Sequence, residues 1–262
     1  MNIVWSCFRG LFADNPRAIY DALLARGPRP DLTHTWLCTE ATRHTFPPEV
    51  NTAVYRTPES VEALEAADLV IANDCISMPW TKRPGATYLQ TWHGTPIKKI
   101  HHDIQPVREG WLDGATRDIA RWDHLLSPNP ASTPRLQHAF RYAGPIHETG
   151  YPRNDVLSSP ERDALRTKTR AELGIADGTT AVLYAPTWRD DLVFDSGGPG
   201  FELPIDLAAF ADRLGADHVL LVRLHSIVAG KLALDPSLPV RDVSSMPDSA
   251  ALYLAADVMV TD

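Results

Sequence analysis

Short apolar runs alternate with amphipathic stretches along almost the whole chain. In the first part of the sequence, the apolar runs predict strands at residues 3–8, 35–39, 53–56, 69–73, 87–92 and 124–127. The amphipathic stretches predict helices at residues 16–25, 58–67 and 132–140. Pro16 and Pro58 suit the first helical position, where the missing N–H would have no partner in any case. Strands and helices that alternate in this way are typical of a mostly parallel sheet with helices on both faces.

A second series of the same kind follows Gly150. Helices are predicted at residues 160–173, 207–214 and 247–255, and strands at residues 181–185, 218–224, 240–243 and 258–260. Gly174 is a suitable C-cap for the first of these helices, and the glycine-rich stretch 191–200 is expected to form a loop. The sequence therefore predicts two α/β domains, residues 1–155 and 156–262, with a ligand cleft between them. Because no helix follows the last predicted strand, we expect the second domain to be incomplete.

Composition narrows the class of protein. The 262 residues carry a formal charge of −8, and the acidic residues are spread along the chain, which argues against a nucleic-acid-binding protein. No apolar run reaches the roughly 18 residues of a membrane-spanning helix, and the first ten residues are typical of a strand rather than of a signal peptide. The three cysteines are widely spaced, and we expect Cys7, Cys38 and Cys75 to be buried, reduced thiols of a cytoplasmic protein.

The segment 88–99, YLQTWHGTPIKK, carries the most chemistry. It includes the end of a predicted strand, and the loops beyond the carboxyl ends of parallel strands are where open α/β sheets bind ligands. A histidine side chain changes its charge near neutral pH, so His93 is suited to accept and later release a proton. Gly94 allows the backbone to approach a ligand closely, and Lys98 and Lys99 offer positive charge to an anion. This combination predicts proton transfer beside a phosphate.

Polar side chains follow most of the other short runs as well, including residues 147–150. They include Asn73, Asp74, Asn129, Arg153, Thr187, Arg189, His225 and Asp262. Since the strands of a parallel sheet end at the same edge, these groups can converge. Because His93 and His225 each end a strand in one half, we expect the two histidines to face each other across the cleft. The sequence leaves open the alternative that these loops are polar only because loops after strands usually are.

Five segments resemble those of a known family in their order and approximate spacing. They are TWHGTPIKK, GYPRNDVL, VLYAPTWRD, VRLH and MPDSAALYLAADVMVTD. The family is that of the CDP-glycerol glycerophosphotransferases, which are the teichoic-acid polymerases and primases of bacterial cell-wall synthesis. The resemblance covers residues 69–262. It implies a GT-B fold, in which two Rossmann-like domains enclose the active-site cleft.

The resemblance also implies roles for individual residues. His93 would be the catalytic base that deprotonates an acceptor hydroxyl, which then attacks the β-phosphorus of CDP-glycerol and expels CMP. His225 would donate to the diphosphate or to the leaving phosphate. Donor or phosphate contacts are expected from Thr187, Arg189, Arg223, Ser249 and Asp262, and acceptor or phosphate contacts from Gly94, Thr95, Lys98 and Arg153. The helix start at residues 245–249 would hold phosphate or ribose through its exposed N–H groups.

The expected partners follow from the same resemblance. The donor would be CDP-glycerol or a related CDP-polyol, and the acceptor a lipid-linked glycan or polyol phosphate. Such an acceptor implies peripheral contact with the membrane, from the cytoplasm, at its inner face. No cofactor is expected to be required, although Mg²⁺ would suit a diphosphate donor. A metal site at His101, His102 and Asp103 is not expected, because adjacent side chains point apart on regular backbone and no further ligand lies at a supporting spacing.

Two other functions stay open on the sequence alone. The same scaffold supports GT-B glycosyltransferases that use a UDP- or GDP-sugar, because one fold serves many chemistries. The chain is alternatively an inactive, truncated binding module. The family continues after its last aspartate with a tyrosine and serines that contact the diphosphate, whereas Asp262 is the final residue of this sequence.

Overall fold

The computed structural model describes residues 1–106, 108–186, 205–224 and 234–261. The chain divides into two compact units, Met1–Asp155 and Val156–Asp262. Each unit is built on a parallel sheet with accompanying helices, so the predicted α/β class is confirmed. The three cysteines are buried and unpaired, as predicted. Within the described ranges, no helix has the length and apolar character needed to cross a lipid bilayer.

The first unit contains a sheet of seven described strands, all parallel. In chain order they are β1 (Asn2–Ser6), β2 (Thr33–Cys38), β3 (Asn51–Val54), β4 (Leu69–Ala72), β5 (Thr87–Gln90), β6 (His124–Ser127) and β7 (Ile146–Glu148). Their order across the sheet is β3-β2-β1-β4-β5-β6-β7. The winding reverses between β1 and β4, and open α/β sheets bind ligands beyond the carboxyl ends of their strands at such a point. The loops after β1 and β4 therefore lie where a ligand is expected.

Four described α-helices and three 3₁₀ turns accompany these strands. They are α1 (Asp14–Leu24), α2 (Pro58–Glu65), α3 (Asp113–Ile119) and α4 (Thr133–Phe140), and the 3₁₀ turns Arg43–Thr45, His101–Asp103 and Pro152–Ser158. The start of α2 shows how local sequence sets a boundary. The Thr57 hydroxyl accepts the Ser60 N–H at 3.4 Å, and the Thr57 N–H donates to the Ser60 hydroxyl at 3.2 Å. With Pro58 in the first turn, this capping box fixes where the helix begins.

Apolar side chains cover both faces of this sheet. On one face, Trp5 stacks on Trp36 with ring centroids 5.4 Å apart, and Tyr20 of α1 meets both rings edge-on. On the other face, Trp122 packs edge-on against Phe140 of α4 at 5.2 Å. Burying a large apolar side chain stabilises a fold by roughly 1.5–3 kcal/mol. Because such cores are close-packed, the sheet is a firm base for the loops at its edge.

The second unit contains four described strands and three described α-helices. They are β8 (Thr180–Tyr184), β9 (His218–Val222), β10 (Val240–Asp242) and β11 (Val258–Val260), and α5 (Arg162–Glu172), α6 (Leu207–Leu214) and α7 (Ser249–Ala255). The strand order is β10-β9-β8-β11, so the winding reverses again, here between β8 and β11. Arg166 and Arg170 of α5 pair with Asp257 and donate to the Leu254 and Ala255 carbonyl oxygens. These bonds hold α7 and β11 against α5.

The bounds of the predicted elements agree with the structure to within two residues, but α3 and β7 do not stand out in the sequence. Three strands end earlier than predicted, and for two of them the backbone shows the cause. The apolar pattern extends the strands to Phe8, Trp92 and Leu224, whereas β1, β5 and β9 end two residues earlier. At Phe8 and Trp92 the φ angles are +43° and +53°, and a left-handed residue cannot continue a strand. The apolar residues beyond these strand ends contribute to packing, although the backbone has already left the extended conformation.

Candidate active site

His93 lies just beyond β5, at the carboxyl edge of the first sheet, as predicted. The chain reaches it through Trp92, whose backbone is in the left-handed region. The Gln90 side chain accepts the Trp92 N–H at 2.9 Å and fixes this turn. A bulky residue in this conformation costs of order 1–3 kcal/mol, so it persists only where surrounding contacts enforce it, commonly at functional sites. The turn places the half-buried imidazole at the edge of the sheet.

The imidazole of His93 is held in one orientation. Its Nδ1 lies 2.5 Å from the carbonyl oxygen of Asn73, and because a carbonyl oxygen only accepts, Nδ1 carries the hydrogen. In the neutral ring, Nε2 then has the lone pair. The ring stacks on Trp92 with centroids 4.0 Å apart and meets the Phe8 ring at 5.0 Å. His93 is therefore oriented to accept a proton through Nε2.

Asn73 joins the loops after β1 and β4. Its side chain is fully buried, and its Oδ1 accepts the Phe8 N–H at 3.0 Å. Beside it, Asp74 pairs with the Arg9 guanidinium at 3.2 Å. Three loops of the sheet edge thus meet around the His93 imidazole, as the pattern of polar strand ends predicts for the first unit.

Asn15, in the first turn of α1, makes a contact that the sequence does not reveal. It is completely buried, donates through Nδ2 to the Trp92 carbonyl oxygen at 2.9 Å and accepts the Arg153 N–H at 3.1 Å. It thereby joins α1, the loop of His93 and the segment at Arg153. Removing this amide would leave the Arg153 N–H without this acceptor and the Trp92 carbonyl oxygen with only the Thr91 hydroxyl, at 3.1 Å. The loss of hydrogen bonds in such a buried setting is more costly than the loss of an exposed one.

Arg153, expected as an acceptor or phosphate contact, makes several contacts within the first unit. Its guanidinium forms an ion pair with Asp14 and lies over the Tyr151 ring, 5.2 Å from the centroid. The Tyr151 hydroxyl donates to the Gly94 carbonyl oxygen at 3.0 Å. Arg153 therefore braces the loop that carries the histidine, and its contact with a ligand stays a prediction. The helix start predicted here is the 3₁₀ turn Pro152–Ser158.

The other predicted acceptor contacts lie on the outer part of the same loop. Gly94 has open space beside its Cα, where an added Cβ would meet nothing within 4 Å. Thr95, Lys98 and Lys99 are exposed. Neither lysine forms an ion pair with any residue that the structure describes. Their charges are therefore available to an anion.

His101 is a partly buried, uncharged neighbour of this loop. Its ring meets Trp92 at 5.5 Å between centroids, and burial lowers its pKa to about 4. The residues that follow it point elsewhere: His102 approaches α3, and Asp103 pairs with His138 of α4 at 2.6 Å. In the described part of the chain, no group of three or more histidine, cysteine, aspartate and glutamate side chains is placed to hold a metal ion.

Arg223, a predicted donor contact, follows β9 in the second unit and is partly buried. Its Nη1 donates to the Met246 carbonyl oxygen at 2.7 Å. Burial lowers the pKa of the guanidinium, and the nearby Tyr253 and Asp248 oppose that shift. Arg223 therefore supports the segment that leads into α7, which is the segment predicted to hold phosphate or ribose.

Ser249 is the first residue of α7. The sequence predicts free N–H groups at this helix start, but two of them are hydrogen-bonded within the chain. The Asp248 carboxylate accepts the N–H groups of Ala250 at 2.9 Å and Ala251 at 3.4 Å, so it caps the helix. These two N–H groups are occupied, and the carboxylate adds a negative charge that opposes an anion at the helix start. The expectation that exposed N–H groups of this turn hold a phosphate is wrong for both of them.

Four further predicted site residues lie outside the described residues. They are Thr187, Arg189, His225 and Asp262. In the sequence, the first two follow β8 and the last follows β11, the strands between which the winding of the second sheet reverses. The roles of these residues, and the facing of the two histidines, stay predictions.

The two parallel sheets place the protein among the α/β proteins with a GT-B-like fold, and the oriented histidine lies at the carboxyl edge of the first sheet. The same fold is seen in the UDP-GlcNAc 2-epimerase from Neisseria meningitidis, which matches with a TM-score of 0.54 at 12% identity over 100% of this chain and 78% of that chain. That likeness shows the fold alone. The chain itself belongs to the CDP-Glycerol:Poly(glycerophosphate) glycerophosphotransferase family, whose model matches residues 2–262. The resemblance carried by the sequence motifs is thereby confirmed.

Relatives within the family are similar over nearly the whole of this chain. It is 36% identical to a teichoic acid glycerol-phosphate transferase of Staphylococcus aureus (strain NCTC 8325 / PS 47), over 99% of this chain and 68% of the relative. It is 30% identical to a teichoic acid poly(glycerol phosphate) polymerase of Bacillus subtilis (strain 168), over 99% of this chain and 36% of the relative. The solved wall teichoic acid polymerase TagF matches with a TM-score of 0.88 at 32% identity, over 100% of this chain and 66% of that chain. The chain thus spans about two thirds of the transferase and of the solved TagF chain, and about a third of the B. subtilis polymerase.

Proposed function

We propose that this protein transfers glycerol phosphate, or another polyol phosphate, from a CDP-linked donor to a hydroxyl of a membrane-linked acceptor, with release of CMP. The observation that carries the proposal is the His93 imidazole, whose Nδ1 is bound to the Asn73 carbonyl so that Nε2 is the proton acceptor. The names of the relatives, a teichoic acid glycerol-phosphate transferase and polymerases, support this chemistry. Solved TagF structures include one soaked with CDPG, which supports the donor, and variants in which a histidine is replaced.

The proposed reaction is a single displacement at phosphorus. The acceptor hydroxyl gives its proton to Nε2 of His93 while its oxygen bonds to the β-phosphorus of the donor. The bond from that phosphorus to the oxygen bridging the two phosphates breaks, and CMP leaves with the bridging oxygen. The Nδ1–H bond to Asn73 stabilises the imidazolium that forms, because hydrogen bonds from charged donors are the stronger ones. A positioned base of this kind contributes about 10²–10⁴-fold to the rate.

The second unit, Val156–Asp262, is assigned the donor side and the first unit the acceptor side. Negative charge that develops on the phosphoryl oxygens requires fixed donors, and this is usually the larger catalytic contribution. Among the residues that the structure describes, Arg223 is the candidate for such a donor. Thr187, Arg189, His225 and Asp262 are candidates from the sequence. The displacement itself requires no cofactor, and Mg²⁺, if used, would be held by the diphosphate oxygens.

CMP release tests the proposed function directly. The chain, incubated with CDP-glycerol and an acceptor that ends in glycerol phosphate, is expected to release CMP in proportion to the glycerol phosphate incorporated, measured by chromatography. UDP-glucose and GDP-mannose are the matched donor controls and should not be consumed. Turnover of a sugar nucleotide without turnover of CDP-glycerol would identify a glycosyltransferase instead. Donor binding without any turnover would identify a binding module.

The loop after His93 supports contact with the inner face of the cell membrane, where a lipid-linked acceptor would be found. Ile97 is 91% exposed, and Trp111, in the same stretch between β5 and α3, is 61% exposed. The exposed Lys98 and Lys99 directly follow Ile97. Apolar and aromatic side chains favour the boundary between headgroups and acyl chains, and lysines are attracted to anionic lipids. We assign this stretch as the peripheral membrane contact.

Vesicle binding tests that contact. In a sedimentation assay with phosphatidylglycerol vesicles, the double variant Lys98→Gln and Lys99→Gln is expected to bind about 30-fold more weakly, because each lysine near an anionic surface contributes about 1 kcal/mol. Ile97→Ser should also weaken binding. Leu24→Ser is the matched control, since Leu24 is 50% exposed at the end of α1. Variants at residues 97–99 that bind as well as the wild type would exclude this surface.

A further inference from the structure

The loop after β1 forms one side of the crevice where the winding of the first sheet reverses. The Phe8 N–H donates to Asn73 Oδ1 at 3.0 Å, and Arg9 pairs with Asp74 at 3.2 Å. These two contacts join the loops after β1 and β4 at the position where open α/β sheets bind ligands. Neither Phe8 nor Arg9 stands out in the sequence as a candidate site residue.

The backbone of this loop is held in a conformation that residues with side chains rarely adopt. The φ angle is +43° at Phe8, +63° at Arg9 and +147° at Gly10. A Cβ at Gly10 would lie 2.7 Å from the Thr39 backbone nitrogen, so the loop passes close against the neighbouring strand end. The Thr42 hydroxyl also donates to the Gly10 carbonyl oxygen. Contacts on several sides therefore enforce a strained turn, as is common at functional sites.

Phe8 keeps an apolar ring exposed directly beside the proton acceptor. The residue is 40% exposed although its ring centroid lies 5.0 Å from that of His93. Trp92, which stacks on the same imidazole, is buried. An exposed aromatic face next to a few polar groups is the usual composition of a small-molecule site. The ring offers a surface for the carbon atoms of a polyol whose hydroxyl reaches Nε2.

Arg9 offers a guanidinium that an anion can reach. Its side chain is 54% exposed, and its pairing with Asp74 is through Nε. A guanidinium has five N–H donors in a planar arrangement that matches phosphate oxygens, so pairing through one nitrogen leaves others for a ligand. An exposed ion pair contributes little to stability, and a phosphate can therefore share or replace Asp74 at small cost.

We propose that Phe8 and Arg9 form the acceptor subsite and that this subsite takes a terminal polyol phosphate. The carbon face of the polyol lies on the Phe8 ring, its hydroxyl meets Nε2 of His93, and its phosphate binds Arg9. This assignment rests on the proposed function, because that function identifies the reacting hydroxyl as one of the acceptor. It goes further in assigning the contacts of that acceptor to two residues, Phe8 and Arg9, that no sequence motif singles out. All of these residues belong to Met1–Asp155.

Direct binding tests the subsite without turnover. The full chain is titrated by calorimetry with a short synthetic oligo(glycerol phosphate), and with free glycerol as the uncharged probe. Arg9→Gln is expected to weaken oligomer binding about tenfold, because a hydrogen bond to a charged group is lost. Phe8→Ala is expected to weaken it about fivefold. Phe8→Leu keeps an apolar side chain and is the control for a change in the conformation of the turn. Arg29→Gln is the matched control, since Arg29 is 52% exposed and pairs with Asp31 at 2.6 Å.

The outcomes separate the subsite from the proposed function. Binding that falls in the Arg9 and Phe8 variants but not in Arg29→Gln supports the subsite. No binding to the wild type, unchanged binding in Arg9→Gln, or an equal fall in Arg29→Gln overturns it. In turnover assays, the same variants should raise KM for the acceptor and leave KM for CDP-glycerol unchanged. A chain that binds the oligomer through these residues but never releases CMP would overturn the proposed function and keep the subsite.

Discussion

Replacing His93 by glutamine is expected to lower the rate of CMP release by about 10²–10⁴-fold, which is the usual contribution of a positioned general base. A glutamine side chain amide can still donate to the Asn73 carbonyl oxygen, as Nδ1–H does in the wild type. It has no nitrogen that accepts a proton at neutral pH. Because the substitution keeps the size and one hydrogen bond of the side chain, a large loss of rate reports the chemistry rather than the fold.

The measurement is the initial rate of CMP release at saturating CDP-glycerol and acceptor, where the loss should appear in kcat. His138→Gln is the matched control, since His138 is an exposed histidine of α4 that pairs with Asp103. Its rate should equal that of the wild type. In His93→Ala, partial recovery of the rate on addition of free imidazole would identify the missing group as a proton acceptor. A His93→Gln variant with the wild-type rate would exclude His93 as the base.

Much of this architecture can be predicted because it depends on local pattern. Each strand of a buried parallel sheet is an apolar run, so the sequence gives the strands and places His93 at the carboxyl end of one of them. The capping residues Thr57 and Pro58 likewise set the start of α2 within one turn of sequence. The short β7 and α3 lack a run of apolar residues long enough to stand out. Pattern therefore predicts elements well where they are long and uniformly buried.

The surroundings of the candidate base could not be predicted, because they are formed by residues distant in sequence. Asn15 is 77 residues from Trp92 and 138 from Arg153, yet it is hydrogen-bonded to both. Arg153 is a second case. Its charge suggests a ligand contact, but a carboxylate 139 residues away, that of Asp14, already holds it. Contacts of this kind depend on the packing of whole elements, which no local pattern of residues contains.

A second large effect is expected at Asp118, which lies away from the reacting groups. Asp118→Ala is expected to lower the free energy of unfolding of the first unit by about 3–5 kcal/mol. The side chain is fully buried, and its Oδ2 accepts the Ile76 N–H at 3.0 Å, the Tyr88 hydroxyl at 3.0 Å and the Trp122 Nε1–H at 2.9 Å. Alanine would leave three buried donors without an acceptor, and each such loss costs about 1–3 kcal/mol.

The charge of Asp118 should also appear in the dependence of stability on pH. Burial raises its pKa to about 6, although its hydrogen-bond donors and Arg121 oppose the shift. In the unfolded chain the pKa of an aspartate is about 3.9. Between these values the folded state binds the proton more readily, so the contribution of this group to the free energy of unfolding falls as pH rises from about 4 to about 6. In Asp118→Asn that fall should be absent.

Urea unfolding followed by tryptophan fluorescence measures both effects, because six of the seven tryptophans lie in Met1–Asp155. Asp31→Ala is the control, since Asp31 is an exposed carboxylate of the same unit that pairs with Arg29, and its removal should change stability little. An Asp118→Ala variant with the wild-type unfolding midpoint would show that this carboxylate does not anchor the loop after β4. An Asp118→Asn variant with an unchanged pH profile would show that the pKa of Asp118 is not raised in the folded state. That loop matters for function, because Ile76 lies three residues beyond Asn73, whose carbonyl oxygen orients His93. Loosening it should therefore lower the rate of CMP release as well as the stability of the unit.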